Sequence, residues 1–290
     1  MAARPPLEAV PDVAGRFDRP IFIISAPRSG STMLFETMAR APDLFTVGGE
    51  SHGLIEGLGE LAPPSHGWDS NRLDASDIDP EVARRLPWRF YQQLRDRNGK
   101  APTGSVRMLE KTPKNALRVP FLAALFPDAI FLFLHRSARA TIGSMIDGWE
   151  SGYFRTYPNL PGWPGPPWSY LLTPGWRDWA GLPLAEIAAR QWASAVTTML
   201  DDLERLDPAR VRAVDYGTFV DSPNAEAAAI AEALDYEWDV DLGDALPVST
   251  TTVTRPSQDK WRRHEPALAS LASVIDSVDA RANAFFRSRT

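Results

Sequence analysis

The sequence predicts a three-layer α/β fold, a mainly parallel central sheet flanked by helices, with a phosphate-binding loop after the first strand. Three observations carry that prediction. An uninterrupted apolar run, IFIIS at 21–25, is followed at once by the turn APRSGS and by the helix-favouring TMLFETMA. The same strand, turn and helix order returns over 129–149. The composition is that of an ordinary globular chain, with 290 residues, 44% hydrophobic and 23% charged, long enough to bury a large core. Strands that are apolar without alternation are those covered on both faces, as in parallel sheets joined by crossover helices.

Taken in order, a proline-rich leader precedes the strand at 21–25, and the helix over 32–39 stops at Ala41-Pro42-Asp43. A second short strand is expected over 44–47, then a mixed helical region with turn signals from 52 to about 99. Residues 106–109 read as a third strand, 115–126 as a helix ended by Pro127-Asp128, and 129–134 (AIFLFL) as a fourth strand. After His135-Arg136-Ser137 a helix runs to about Trp149.

From 150 to 183 the chain changes character, with seven prolines and Trp163, Trp168, Trp176 and Trp179. This reads as an insertion over the fold. It is either a lid, offering Tyr153, Phe154, Trp163, Trp168 and Trp176 to an acceptor pocket, or core packed under a long loop. A helix over 184–206, a strand over 210–214, a helix over 224–234 and a terminal helix over 266–286 complete the pattern, with the polar loop STTTVTRPSQDKWRRH before the last. With no internal repeat and no low-complexity linker, residues 1–290 are expected to form a single domain.

Composition narrows the chemistry. There is no cysteine, which excludes disulfides, thiolate nucleophiles and cysteine-held metals, so oxygen and nitrogen groups must do any catalysis. His52, His66, His135 and His264 are scattered, which argues against a dedicated metal site. No signal-like or membrane-spanning apolar stretch occurs, and a soluble cytoplasmic protein is expected. The net charge of -6 argues against a nucleic-acid surface. The acid is concentrated: residues 201–244 hold thirteen acidic and three basic residues, a balance of -10 that leaves +4 elsewhere. A local anion site is compatible with that distribution.

The loop after the first strand is where an anion site is expected. Gly30 lets the backbone approach an anion, the helix start presents amides, Ser29, Ser31 and Thr32 add hydroxyls, and Arg28 adds charge. The nucleotide triphosphatase pattern is absent, because Ser25 stands for its first glycine and Ser31 for its lysine. Alone, the loop is equally a helix capped by Ser29 or Ser31. Arg136, just after the fourth strand, and Ser144 in the next helix supply a second pair of phosphate donors.

These motifs together resemble the sulfotransferases that use 3'-phosphoadenosine 5'-phosphosulfate (PAPS), above all the bacterial, tyrosylprotein and polyketide-associated branches. The resemblance covers roughly residues 21–263. It implies a sulfotransferase-like fold and a transferase of the EC 2.8.2 type. The loop Arg28, Ser29, Gly30, Ser31 and Thr32 would hold the 5'-phosphosulfate, Arg136 and Ser144 the 3'-phosphate, and a late segment with Arg255, Lys260 and Trp261 would close over the nucleotide. PAPS is the co-substrate it implies, adenosine 3',5'-bisphosphate the product, and no metal is required.

Sulfuryl transfer needs a base for the acceptor's proton, a cation for charge on the leaving phosphate, and in-line alignment. In GGESHGLIEG the resemblance puts Glu50 forward as the base, its carboxyl expected to be raised toward neutrality beside the donor, with His52 as alternative or partner. In the segment EKTPKN, Lys111 is the expected cation at the transferring sulfuryl group, and Lys114 the second choice. The acceptor is expected to be a small molecule or an acyl chain, the latter implying a carrier protein. The competing readings are a non-catalytic nucleotide-binding module that uses its insertion for a partner, and a small-molecule kinase, which the missing loop lysine disfavours.

Overall fold

The computed structural model describes residues 4–243, 246 and 259–289. Its seven strands are β1 (Ile21–Ile24), β2 (Leu44–Phe45), β3 (Arg107–Lys111), β4 (Ile130–His135), β5 (Arg155–Tyr157), β6 (Trp168–Ser169) and β7 (Val211–Asp215). Five of them form one sheet in the order β2-β3-β1-β4-β7, and every pairing in it is parallel. β5 and β6 form a separate antiparallel pair inside the insertion.

Because side chains alternate across a strand, β1 feeds two cores at once. Ile21 and Ile23 join Leu109, Leu132 and Leu134 on one face. Phe22 and Ile24 join Met108, Phe131 and Phe133 on the other. The first face is covered by α1 (Ser31–Met38), α7 (Tyr216–Asp221) and α8 (Pro223–Leu234). The second is covered by α3 (Pro80–Gln93), α4 (Val119–Leu125), α5 (Ala138–Ser151), α6 (Leu184–Leu203) and α10 (Ala272–Arg287). The expected three-layer arrangement is therefore present, and double coverage explains why β1 and β4 are apolar without alternation.

From β1 the chain crosses to β2 and β3 on one side of the sheet and afterwards builds β4 and β7 on the other. A crevice opens where the direction of winding reverses, beyond the carboxyl end of β1, and ligands in open α/β sheets bind there.

Several elements differ from expectation. β3 runs to Lys111 rather than stopping at 109, because Glu110 and Lys111 are buried and paired with side chains from other segments. The helix expected over 115–126 is a 3-10 turn, Pro113–Leu117, followed by α4, with Pro120 inside the first turn of the new helix. The terminal helix is split at Leu271 into α9 (Glu265–Ser270) and α10. Within the region read as mixed, α2 (His52–Glu56) is short and α3 is long. Asp79 caps α3 by accepting from the Val82 amide, and Pro80 occupies its first turn.

In the insertion, Trp168 and Trp176 are fully buried, and Trp163 packs edge-on against both at 5.0 and 6.2 Å. Trp168 and Trp176 are core, Trp163 packs on them half-buried, and none of the three lines the crevice. Tyr153, Phe154, Tyr157 and Tyr170 do face it.

Candidate active site

A cavity of about 480 Å³ lies beyond the carboxyl ends of β1, β3, β4 and β7. Its floor is the loop after β1, and its walls come from α5 and from the insertion, whose Tyr170 packs against α5.

The loop turns in two left-handed steps, at Arg28 (φ 65°) and Gly30 (φ 95°). Gly30 is the residue that caps α1, and no serine side chain does so. Its carbonyl accepts from the Met33 and Leu34 amides, so the α1 amides nearest the loop have no partner within the helix. A Cβ at Gly30 would lie 2.1 Å from the Tyr216 ring, so only glycine fits both the backbone and the space. Ser31 and Thr32 line the cavity, whereas Ser29 is buried and outside its lining.

Arg28, Ser144 and Arg136 are brought together, with Arg28 between the other two. Its Nε lies 3.4 Å from Ser144 Oγ, and its carbonyl accepts from Arg136 Nη1 at 2.7 Å. Phe154 of the insertion stacks on the Arg28 guanidinium at 4.5 Å, and Tyr216 stacks on that of Arg136 at the same distance. Burial lowers the Arg136 pKa, and among the described residues no carboxylate pairs with it. An arginine stays charged under such pressure, which leaves a desolvated cation directed at the cavity.

On the opposite side Lys111 Nζ donates to Glu50 Oε1 at 2.8 Å and to Thr32 Oγ1 at 3.2 Å. His52 Nδ1 stands 3.6 Å from Glu50 Oε2. Burial alone would raise the Glu50 carboxyl, but hydrogen bonding from His52 and the Lys111 charge outweigh it and hold the carboxyl at about 2. This corrects the expected upward shift, because the expectation counted desolvation and omitted the lysine. Lys114 does not share this position, since it pairs with Glu56 at 2.8 Å beneath the insertion.

Residues 20–162 match the model of the sulfotransferase family. Over these residues, just under half of its length, the chain is similar to that family. It is 33% identical over 132 residues to a putative protein-tyrosine sulfotransferase of Caenorhabditis briggsae, covering 45% of this chain and 44% of that one. It is 25% identical over 231 residues to protein-tyrosine sulfotransferase A of Caenorhabditis elegans, covering 76% and 50% respectively. The chain thus spans about half the length of these curated relatives. Among solved structures, a sulfotransferase of Mycobacterium tuberculosis aligns with a TM-score of 0.48 at 16% identity, over 95% of this chain and 78% of that one. The sulfotransferase domain of the curacin biosynthetic pathway aligns at 0.47 and 17% identity, over 88% and 98%.

The late basic segment packs on α5. Trp261 lies against Gly143, where a Cβ would come within 2.9 Å of the Trp261 Cβ. Lys260 Nζ is 3.7 Å from Asp147 Oδ2, His264 Nε2 is 2.7 Å from Asp147 Oδ1, and Arg263 pairs with the same carboxylate. Arg255 lies outside the described residues.

Asp147 is a site residue that the sequence reading missed, although its i+3 spacing from Ser144 puts both on one face of α5. Tyr216 and Glu56 were missed too, and no local pattern marks either. Glu110 was read only as part of a motif. It is fully buried in β3 and accepts hydrogen bonds at 2.6 Å from Ser51 Oγ, Thr112 Oγ1 and Asn115 Nδ2. The Ser51 amide donates to Thr112 Oγ1 at 2.7 Å. This network ties the segment bearing Glu50 and His52 to the end of the strand bearing Lys111. Among the described residues, no helix is long and apolar enough to cross a membrane.

Proposed function

We propose that this chain transfers a sulfuryl group from PAPS to a hydroxyl of a small-molecule or acyl-chain acceptor. The observation that carries the reading is the convergence on one loop of two cationic positions, half-buried Arg136 with Arg28 and Ser144 at one and buried Lys111 with Glu50 at the other. The donor contributes an activated sulfuryl group on a nucleotide that is anionic at both its 3' and its 5' position. Its anions fit the Arg136 guanidinium, which no carboxylate among the described residues pairs with, and the left-handed glycine loop at the start of α1.

In this reading the α1 amides and the Thr32 hydroxyl hold the 5' end, while Arg136 and Ser144 hold the 3'-phosphate. Lys260 and Trp261, packed on α5, cover the nucleotide. The insertion, through Tyr153 and Phe154, forms the acceptor-side wall of a single domain. Lys111 balances the charge that grows on the leaving phosphate oxygen. Glu50 takes the proton of the acceptor hydroxyl, the acceptor oxygen bonds to sulfur, and the bond from sulfur to the phosphate oxygen breaks. The products are a sulfate ester and adenosine 3',5'-bisphosphate. Glu50 paired with Lys111 is a weak base, and it strengthens as the lysine is drawn toward the donor's anion.

Calorimetric titration with adenosine 3',5'-bisphosphate tests the reading, with AMP and ATP as controls. Binding that requires the 3'-phosphate, followed by release of that nucleotide from PAPS in a hydroxyl acceptor screen, is expected. A folded protein that ignores the bisphosphate, or prefers ATP with magnesium, overturns it.

A further inference from the structure

Lys111 and Lys114 leave the same segment three positions apart and meet different surroundings. Lys111 reaches the loop after β1 through Thr32. Lys114 reaches Glu56 Oε1 and Oε2 at 2.8 and 2.9 Å and lies 4.9 Å from the centre of the Tyr157 ring in the insertion. Lys114, Glu56 and Tyr157 all line the cavity.

Behind them sits Arg118, fully buried, whose Nη2 donates to the same Glu56 Oε1 at 2.5 Å and whose Nε donates to the Asn71 carbonyl at 3.1 Å. Its Nη1 has no partner among the described residues. Asn71 Nδ2 completes the group, 2.6 Å from the Tyr157 hydroxyl and 3.4 Å from Glu56 Oε1. Two buried cations therefore share one carboxylate. Glu50, whose charge also acts on Lys114, is already engaged by Lys111 and His52. A buried positive excess of this kind is unfavourable unless an anion joins it.

We propose that Lys114 anchors a carboxylate on the acceptor, so that the substrate class is a hydroxylated carboxylic acid with an apolar body. The inference rests on the sulfuryl-transfer reading and adds the acceptor's chemistry to it. Lys114 can turn from Glu56 to such an acid without leaving a charge unpaired, because Glu56 retains Arg118 and Asn71. The Tyr157 ring holds the ammonium at the cavity wall in either position. Tyr153 and Phe154, edge to face at 5.0 Å, offer rings to the apolar body. The acid would then lie on the insertion side, and the hydroxyl on the side of Glu50.

The test titrates matched probes into the protein saturated with adenosine 3',5'-bisphosphate: 4-hydroxyphenylacetate against 4-hydroxyphenylacetamide, and 3-hydroxyoctanoate against its amide. In the wild type at least one acid should bind roughly tenfold or more tightly than its amide. Lys114→Met should reduce that ratio below about twofold with the bisphosphate affinity retained, and Lys114→Arg should keep part of it. Retained bisphosphate affinity also shows that Lys114→Met is folded. The proposal is overturned if acids and amides bind alike, if no probe binds the nucleotide-loaded protein, or if the preference survives Lys114→Met. Failure of the bisphosphate itself to bind counts against the sulfuryl-transfer reading. The acid and amide comparison is then made on the protein without nucleotide, with the melting temperature of Lys114→Met as the check on folding.

Discussion

The Lys111 ammonium stands 2.8 Å from the Glu50 carboxylate and also touches the Thr32 hydroxyl, so one buried cation joins the proposed base to the phosphate loop. The contact has two consequences. It keeps Glu50 ionised and in place while the donor is absent, and it makes the basicity of Glu50 depend on where the Lys111 charge goes. A second cation at Lys114 does not substitute for it, because Glu56 and Tyr157 hold that side chain away from the loop.

Glu50→Gln should lower turnover by about 10²- to 10⁴-fold, the usual contribution of a positioned base, with bisphosphate affinity retained. The Glu50 carboxyl lies at about 2, below its ordinary 4.5, so it is ionised throughout the neutral range. The kcat/KM profile of the free enzyme should therefore show no limb from Glu50 between pH 5 and 8. An acid limb there would assign the proton to another group. The depressed value also stabilises the fold, fully above the unfolded carboxyl's pKa and progressively less as pH falls toward 2. Wild type and Glu50→Gln should converge in stability over that acid window, which denaturant titrations at several pH values would record.

Gly30→Ala should damage both fold and site. Alanine resists the left-handed backbone at φ 95°, and its Cβ would meet the Tyr216 ring at 2.1 Å. Strain of that kind costs about 1–3 kcal/mol. Moving Tyr216 also removes the ring stacked on Arg136. A lower melting temperature and weaker bisphosphate binding are expected, and adding Tyr216→Ala should relieve the clash but not the backbone strain. An unchanged melting temperature would contradict the loop geometry.

Arg136→Ala should weaken adenosine 3',5'-bisphosphate while leaving AMP nearly unchanged, because only the former carries the group assigned to this cation. Loss of a charged hydrogen bond of about 1.5–3 kcal/mol corresponds to roughly 10- to 150-fold in the dissociation constant. Arg136 also donates to the Arg28 carbonyl at 2.7 Å, so part of the loss would act through the loop. Equal losses for both nucleotides would show that the role is only to support the loop. An unchanged constant for the bisphosphate would remove Arg136 from the site.

What the sequence disclosed and what it concealed follow from the range of the interactions. β1, its loop, α1 and β4 were legible because burial on both faces writes an uninterrupted apolar run. The end of β3 was not, since Glu110 and Lys111 look like the start of a loop until their distant partners Ser51 and Glu50 are in place. The extent of α3 was not read within the mixed region, where it runs through Pro87. The aromatic insertion was half legible, its tryptophans turning inward and Tyr153 and Phe154 toward the cavity. The upward shift expected of Glu50 failed for the same reason as β3, because a local reading contains burial but not the lysine that arrives from another strand.

Glu110 should prove to be a positioning residue rather than a catalytic one. It touches no cavity atom, yet it holds Ser51 beside Glu50 and lies next to Lys111 in β3. All three of its partners donate to it, which suits an ionised carboxylate despite the upward pressure of burial. In Glu110→Ala those donors lose their acceptor in a dry site, and a loss of about 1–3 kcal/mol or more in stability is expected. Glu110→Gln is the sharper probe. Its amide would face Asn115 Nδ2, and turning the Asn115 side chain would present Oδ1, which has no partner among the described residues. The fold and bisphosphate affinity should then survive, while loss of the negative charge beside Lys111 strengthens that lysine's pull on Glu50 and lowers kcat more than it alters KM. A Glu110→Gln enzyme with wild-type kcat would show that the buried carboxylate serves the fold alone.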